Sequence, residues 1–210
     1  METYPEDVAV YFFQNPLGFH KDAMPAAKAT YAAYKQGKFW EYHDKCFANM
    51  RALKQDNFEK WATELGLDLA KFKADMNAPE TEKEIKRQQA TVVALGARGT
   101  PGFFVNGEQV KGAQPFEKFK VVIDKQLAAA NKEVAAGKSN AEAWQAVAKA
   151  SHPKGDDFLK WVVQGVTPPA SATAAPKRPD RPSGPAADKT VWKVAVNPAD
   201  ARKGGKEPLV

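Results

Sequence analysis

Cys46 is the one cysteine among the 210 residues of the chain, and its chemistry depends on the groups beside it. His43 stands three residues earlier, and a Cys–His couple at that spacing in a helix could form an activated thiolate. A free cysteine is, however, among the most buried residue types, so we interpret Cys46 as inert core packing. Disulfide-exchange enzymes pair an attacking thiolate with a resolving thiol, and one cysteine cannot supply both. We therefore predict no catalytic residue in this chain.

The remaining polar side chains give no sign of a metal or acid–base site. His20 and His152 have no cysteine or carboxylate at a metal-ligand spacing, and we expect both at the surface or in loops. Glu41 and Asp44 are typical of a solvated helix face. The sequence therefore predicts no bound metal and no cofactor.

The segment from Gly99 to Gly107 has a pattern that could bind a ligand through its backbone. It contains a tight entry, a Thr100–Pro101 bond, a short apolar strand and an Asn-Gly pair. Asn-Gly favours a two-residue type I′ turn, in which both residues take positive φ, so the residues after Gly107 should return as a second strand. Only a bond before proline adopts the cis form at low cost, and we predict cis for Thr100–Pro101. The alternative is an ordinary hairpin with a trans proline.

The rest of the chain supplies the elements that must hold this segment in place. Val8–Gln14 is a short apolar run that predicts a buried strand, and helical patterns dominate from there to Gly96. The helices are expected from Asp22 to Gly37, over the apolar face Phe39, Trp40, His43, Phe47 and Met50, from Asp56 or Asn57 to Gly66, from Asp68 through Met76, and from Pro79 to Gly96. Pro115 should open a further helix, followed by amphipathic segments around Trp144 and Phe158–Val163.

Composition bounds the kind of protein. Apolar residues make up 43% of the chain, with twelve Phe and five Trp, so we expect a packed core. The net charge of +6 is spread over helix faces without dense basic runs between aromatics, which argues against nucleic-acid binding. No apolar run approaches the roughly 18 residues of a membrane span, and no signal peptide is visible at the start.

Proline content divides the chain. Six of its fifteen prolines fall in residues 167–189, among Ala, Ser and Thr with little to bury, so we predict an extended linker there. The resulting domain prediction is residues 1–166 for the main domain, 167–189 for the linker and 190–210 for the first strands of a second domain.

The order of strand, helices, hairpin and closing helix, together with the motif at Thr100–Gly102, resembles the DsbA-like branch of the thioredoxin fold from about Val8 to Asp124. The resemblance implies an α/β thioredoxin-like fold with a helical insertion, either incomplete or circularly permuted. It also implies that Thr100, Pro101 and Gly102 bind substrate: Thr100 offers its backbone to an extended peptide, and Pro101 leaves an open surface beside the reactive sulfur. A purely structural turn is the alternative.

The two ends of the sequence resemble parts of that family that flank its Cys-x-x-Cys. Residues 2–13 look like the segment after the active-site helix, and Val191–Val196 with Pro208–Val210 looks like the start of such a domain. We therefore expect a piece of a tandem protein that lacks the central strand of its sheet. We expect Thr190–Val210 either to fold back into the vacant position, within one chain or by strand exchange between two, or to form a disordered tail, because ordering a long tether carries an entropic cost.

The resemblance implies a part of a thiol:disulfide oxidoreductase that acts on cysteine-containing polypeptides. The full-length protein would work in the periplasm or another extracytoplasmic compartment, and this chain alone would be inactive. One alternative is a non-catalytic thioredoxin-fold module that binds peptides or proteins. Another is a helical interaction protein whose hairpin is incidental.

Overall fold

A computed structural model describes residues 3–174 of the chain. Within these residues five α-helices precede a two-stranded hairpin and four follow it. In chain order the elements are α1 (Ala23–Tyr34), α2 (Phe39–Ala48), α3 (Gln55–Glu64), α4 (Leu69–Asn77), α5 (Pro79–Ala94), β1 (Gly102–Val105), β2 (Glu108–Lys111), α6 (Phe116–Ala135), α7 (Asn140–Ser151), α8 (Gly155–Phe158), which continues as a π-helical turn over Leu159–Val163, and α9 (Ala170–Thr173).

The first four helices enclose an aromatic core. The rings of Tyr42, Phe58 and Phe72 have no exposed surface, and the Tyr42 and Phe72 rings lie 5.5 Å apart. The Tyr42 hydroxyl donates a hydrogen bond to the Phe58 carbonyl at 2.9 Å, which satisfies the one polar atom of that ring. The face of α1 that packs on this core consists of small residues, which allow a close approach: Ala29, Ala32 and Ala33.

The hairpin has the geometry that the Asn-Gly pair predicts. Asn106 and Gly107 both have positive φ, at 43° and 87°, and they form the two-residue loop between Val105 and Glu108. The strands are antiparallel, with Phe104 opposite Gln109. These φ values confirm the predicted turn. It could be predicted from the sequence because the φ values that such a turn needs depend on two adjacent residues.

A second core joins the hairpin to the helices on either side of it. Ala94 and Leu95 at the end of α5 pack with Ala148 of α7 and with Phe158 and Trp161 of the C-terminal helices. Phe104 of β1 packs against the same cluster. The end of α5, the hairpin and the C-terminal helices are therefore held together by one set of buried side chains.

Residues 8–14 do not form the buried strand that the sequence predicted. Val10 and Tyr11 are 53% and 78% exposed, and the segment has no regular secondary structure. It is anchored at its end, where the Gln14 N–H donates to the Gln88 side chain at 2.9 Å. A strand needs a neighbour to pair its N–H and C=O groups, and no other segment within residues 3–174 pairs with it.

Asp22 is the N-cap of α1, as expected, whereas the expected start of α3 at Asp56 or Asn57 is wrong. Asp22 occupies the cap position of α1, but its side chain makes no capping hydrogen bond. The third helix begins at Gln55, before the predicted caps Asp56 and Asn57. The Asn57 side chain instead donates to the Ala52 carbonyl at 2.7 Å, which ties the helix to the preceding turn.

The beginning of the predicted linker at residues 167–189 is part of the compact unit, which extends to Ala174. It contains the short helix α9, and the Arg98 side chain donates to the Ala174 carbonyl at 2.7 Å. The rest of that linker and the predicted strands in residues 190–210, with their fold-back into the sheet, lie outside the described residues.

No helix in the part of the chain that the structure describes is long and apolar enough to cross a membrane. The longest helix of that part, α6, carries lysines among its apolar residues, including Lys118, Lys120 and Lys125. In the same part, no group of three or more His, Cys, Asp or Glu residues is placed to hold a metal ion.

Candidate functional site

Thr100, Pro101 and Gly102 lie where the chain leaves α5 and enters β1, and all three are exposed. The Thr100–Pro101 peptide bond is cis. The Pro101 carbonyl accepts a hydrogen bond from the Gly112 N–H at 3.0 Å, which closes the open end of the hairpin. Within residues 3–174, nothing hydrogen-bonds to the backbone N–H or C=O of Thr100. These two groups are therefore available to an extended ligand.

The loop is anchored through Ala97, which lies just after the end of α5. The Ala97 N–H donates to the Val92 carbonyl at 2.8 Å, and Ala97 is only 7% exposed. The Asn15 side chain donates to the Ala97 carbonyl at 3.4 Å. A Cβ at Gly102 would lie 3.3 Å from the Ala97 Cβ, so a larger residue at Gly102 would crowd the loop. The exposed backbone of the loop is therefore attached to a buried residue, Ala97.

The strand that follows the loop has a free edge among the described residues. Strand β1 pairs with β2 on one side, and no described strand pairs with its other side. Phe103 is 39% exposed and its ring lies 4.8 Å from that of Phe119 on α6. An unpaired strand edge next to exposed apolar surface is a template for adding an extended peptide.

His152 lies in the bend after α7, which agrees with the expectation of a loop, but it is buried and therefore does not lie at the surface. It is 7% exposed, and its ring lies 5.6 Å from the ring of Phe104 and 5.3 Å from that of Phe158. It directly follows α7, four residues after the fully buried Ala148. Helical periodicity places residues four apart on one face, and this signal could have identified His152 from the sequence.

Cys46 lies in the core of the first four helices and is 8% exposed. Burial raises the pKa of its thiol to about 11, although a hydrogen bond with Thr30 opposes the shift. The sulfur is therefore protonated at neutral pH. His43 does not contribute to the shift in the pKa of this thiol, and its ring packs among aromatic residues, 4.4 Å from the ring of Phe47. The interpretation of Cys46 as core packing agrees with this environment.

The apolar face that the sequence predicts for α2 is largely exposed. Trp40, Phe47 and Met50 are 46%, 58% and 68% exposed, and the helix turns Tyr42 and Cys46 to the core instead. Stacked side chains run along this outer face, with ring centroids 4.4 to 6.4 Å apart. We call them the aromatic array: Phe12, Phe39, Trp40, His43 and Phe47.

Comparison with known proteins identifies the family. The DSBA-like thioredoxin domain matches residues 6–124, which include α1 to α5, the exposed loop, the hairpin and the first half of α6. The chain belongs to the DSBA-like thioredoxin domain family, and its fold is an α/β thioredoxin-like fold with a helical insertion. The match ends before α7 and α8, so these helices lie beyond the family domain.

The curated relatives are much longer proteins. The chain is 36% identical over 108 residues to the Na(+)/H(+) antiporter NhaA of Herminiimonas arsenicoxydans, covering 51% of this chain and 17% of that protein. It is 32% identical over 111 residues to Na(+)/H(+) antiporter NhaA 3 of Salinispora tropica, covering 53% of this chain and 17% of the relative. The chain therefore spans about one sixth of the length of these relatives. No solved structure matches the chain.

Proposed function

We propose that this chain is the peptide-binding part of a DsbA-like thiol:disulfide oxidoreductase. Its loop at Thr100–Gly102 would bind the backbone of a cysteine-containing polypeptide, and the reactive Cys-x-x-Cys would come from outside this sequence. The observation that carries the proposal is the exposed Thr100, whose N–H and C=O have no partner within residues 3–174. Membership of the DSBA-like family supports it.

In the proposed reaction, this chain contributes binding and not sulfur chemistry. A cysteine thiolate attacks a disulfide sulfur, a new S–S bond forms as the old one breaks, and the other sulfur leaves as a thiolate. Cys46 is unsuited to the attacking role because it is buried and its thiol pKa is raised to about 11. The backbone at Thr100 would instead hold the substrate extended while a second thiol resolves the mixed disulfide. We also propose a periplasmic or other extracytoplasmic setting for the full-length protein, because disulfides in substrate proteins form and persist in oxidising compartments.

A second candidate is a non-catalytic thioredoxin-fold module that uses the same loop to bind peptides. The buried, unreactive state of the single cysteine favours it. The complete open reading frame separates the two candidates. A Cys-x-x-Cys encoded on either side of these 210 residues supports the oxidoreductase, and a full reading frame without one supports the binding module.

Backbone pairing at the loop can be tested on the ligand, which leaves the protein unchanged. We would measure by calorimetry the affinity of an unstructured peptide in which serine replaces cysteine. We would then methylate its backbone nitrogens one at a time. In strand pairing only alternate N–H groups face the partner, so methylation should weaken binding at every second position. The expected loss is about three- to tenfold, the value of one hydrogen bond.

The neighbouring positions of the same peptide are the matched controls. Equal losses at all positions, or none at any, would contradict backbone pairing at Thr100.

An insulin-reduction assay tests the inactive role of Cys46. We expect turnover no higher than that of a single free thiol, and turnover that Cys46→Ser abolishes would make Cys46 a nucleophile and refute the proposal.

A further inference from the structure

Residues beyond the family domain contact both elements that flank the candidate loop. Helices α7 and α8 follow residue 124, where the family match ends. The loop begins at the end of α5 and leads into the hairpin, and α7 and α8 pack against each of these. Helices α7 and α8 can therefore affect the position of the loop without contacting a ligand themselves.

His152 joins α5 to the start of α8 through both ring nitrogens. Its Nδ1 lies 2.9 Å from the backbone nitrogen of Lys154, and its Nε2 lies 3.2 Å from the Leu95 carbonyl oxygen. A backbone N–H can only donate and a carbonyl can only accept. These partners assign the roles of the two nitrogens: Nδ1 accepts from the Lys154 N–H, and Nε2 donates to the Leu95 carbonyl.

Lys154 makes a second link to the same helix end. Its side-chain nitrogen donates to the Ala94 carbonyl at 2.8 Å and lies 6.0 Å from the centre of the Trp161 ring. The last carbonyls of a helix have no partner within the helix, so two of them are satisfied here by the C-terminal residues. These two hydrogen bonds fix the position at which α5 ends and the loop begins.

The other end of the loop is held through the hairpin turn. A Cβ at Gly107 would lie 2.6 Å from the Ala148 carbonyl oxygen and 3.1 Å from the His152 Cβ, so the turn lies directly on the backbone of α7. The buried Gln126 side chain donates to Glu108 at 2.7 Å and accepts from the Ser151 hydroxyl at 3.1 Å. The hairpin is therefore attached to α7 by close backbone packing and by a hydrogen-bond chain.

We propose that His152 and Lys154 are positioning residues that hold the Gly99–Gly102 loop in its ligand-binding geometry by joining the end of α5 to the C-terminal helices. The importance of this geometry for ligands rests on the proposed function of the loop. The attachment itself does not, because it concerns the free protein. The two statements can therefore fail separately.

Hydrogen exchange of the free protein tests the attachment. The variant His152→Phe keeps a ring beside Phe104 and Phe158 and removes both hydrogen bonds, and Lys154→Met removes the bond to Ala94. Each should speed the exchange of amides in residues 96–112 by roughly tenfold, the factor that corresponds to about one lost hydrogen bond. Exchange in α1 to α4 should stay unchanged. If His152→Phe does not fold, Lys154→Met still gives the answer.

Two controls separate positioning from general destabilisation. Tyr42→Phe removes one buried hydrogen bond from the first core and should speed exchange in α1 to α4 but not in residues 96–112. Lys149→Met removes an exposed ion pair of α7 with Asp156 and should change neither region. A uniform acceleration in His152→Phe and Lys154→Met, or unchanged exchange in residues 96–112, would overturn the proposal.

Peptide affinity shows whether the attachment matters to the ligand. His152→Phe should weaken binding of the serine-substituted peptide several-fold, and His152→Gln, which keeps an N–H for Leu95, should recover part of the loss. Wild-type affinity in His152→Phe with loosened residues 96–112 would refute the effect on the ligand. If the wild-type protein binds no peptide, the proposed function fails, and the exchange experiment still decides the attachment.

Discussion

The two buried cores of this protein differ in what they support. The first, within α1 to α4, encloses aromatic rings with no exposed surface and the single thiol, and the Tyr42 hydroxyl is satisfied inside it. The second, between the end of α5, the hairpin and the C-terminal helices, lies beneath an exposed loop whose Thr100 backbone has no partner within the described residues. The first core buries the thiol and keeps it unreactive. The second core supports a loop whose backbone at Thr100 can bind a ligand.

The difference follows from the kind of contact that dominates each core. Close packing of large rings resists any change in shape, so the first core contributes to global stability. In the second core, bonds from His152 and Lys154 to carbonyls of α5 specify a local position. We therefore expect substitutions in the first core to affect the unfolding of the whole protein. Those in the second should act mainly on the loop.

The largest effect should come from Phe72→Ala in the first core. Phe72 has no exposed surface, and removing a buried phenylalanine ring leaves a cavity that costs about 3–5 kcal/mol of unfolding free energy. Urea unfolding followed by fluorescence measures the change. Phe116→Ala is the matched control, because Phe116 is 50% exposed and its truncation should cost far less. Equal losses for the two variants would contradict the close packing assigned to the first core.

The reactivity of Cys46 gives the next largest effect. Burial raises the pKa of the thiol from 9.0 to about 11, so at a given pH below both values the folded protein holds roughly a hundredfold less thiolate than the unfolded chain. Because the thiolate is the reactive form, an aromatic disulfide reagent should react at least that much more slowly with the folded protein. The same protein in urea is the control. Similar rates in the two states would show that the thiol is accessible and ionised.

The sequence predicted best those features that depend on neighbouring residues. Asn106 and Gly107 specify their own turn, Asp68 caps α4 through the Lys71 N–H, and Pro79 begins α5. Each of these depends on backbone angles or hydrogen bonds within a few residues, so local sequence is sufficient.

Features that depend on distant partners were missed. An apolar run such as residues 8–14 becomes a strand only beside another strand, and residues 3–174 supply none for it. His152 is buried because Leu95, 57 residues away, offers a carbonyl to its ring. The apolar face that the sequence predicts for α2 includes Trp40 and Phe47, which are exposed, whereas Tyr42 and Cys46 face the core. Periodicity shows that a face exists, but not what covers it.

A smaller loss of stability is expected from Gly107→Ala in the hairpin turn, and comparison with a second glycine separates the effect of close packing from that of backbone strain. Gly107→Ala places a Cβ 2.6 Å from the Ala148 carbonyl at a residue with φ of +87°. Gly137→Ala is the matched control, since Gly137 has φ of +94° but no atom within 4 Å of its Cβ position. Both variants carry the strain of positive φ, so Gly107→Ala should lose about 1–3 kcal/mol more from overpacking against α7. Equal thermal shifts would show that α7 does not press on the turn.

The smallest effect should come from a half-buried ion pair that links α1 of the first core to α5, the helix that leads to the loop. Lys28 lies 2.6 Å from Glu82, and this contact, with a second one from Lys86, lowers the pKa of the Glu82 carboxyl from 4.5 to about 2. A lowered carboxyl pKa means that the ionised form is favoured in the folded state. Its contribution is therefore complete above the ordinary pKa and disappears as the pH falls from 4.5 to about 2.

Glu82→Gln should accordingly have a slightly lower melting temperature than the wild-type protein at neutral pH, and the two curves should meet near pH 2. Lys28→Met should reproduce most of the loss, because Lys28 is the main cause of the shift. The difference should shrink in about 1 M salt, where the screening length falls to about 3 Å. A gap between Glu82→Gln and the wild-type protein that persists near pH 2 would show that Glu82 acts through packing. In that case the charge of Glu82 would not couple the first core to α5.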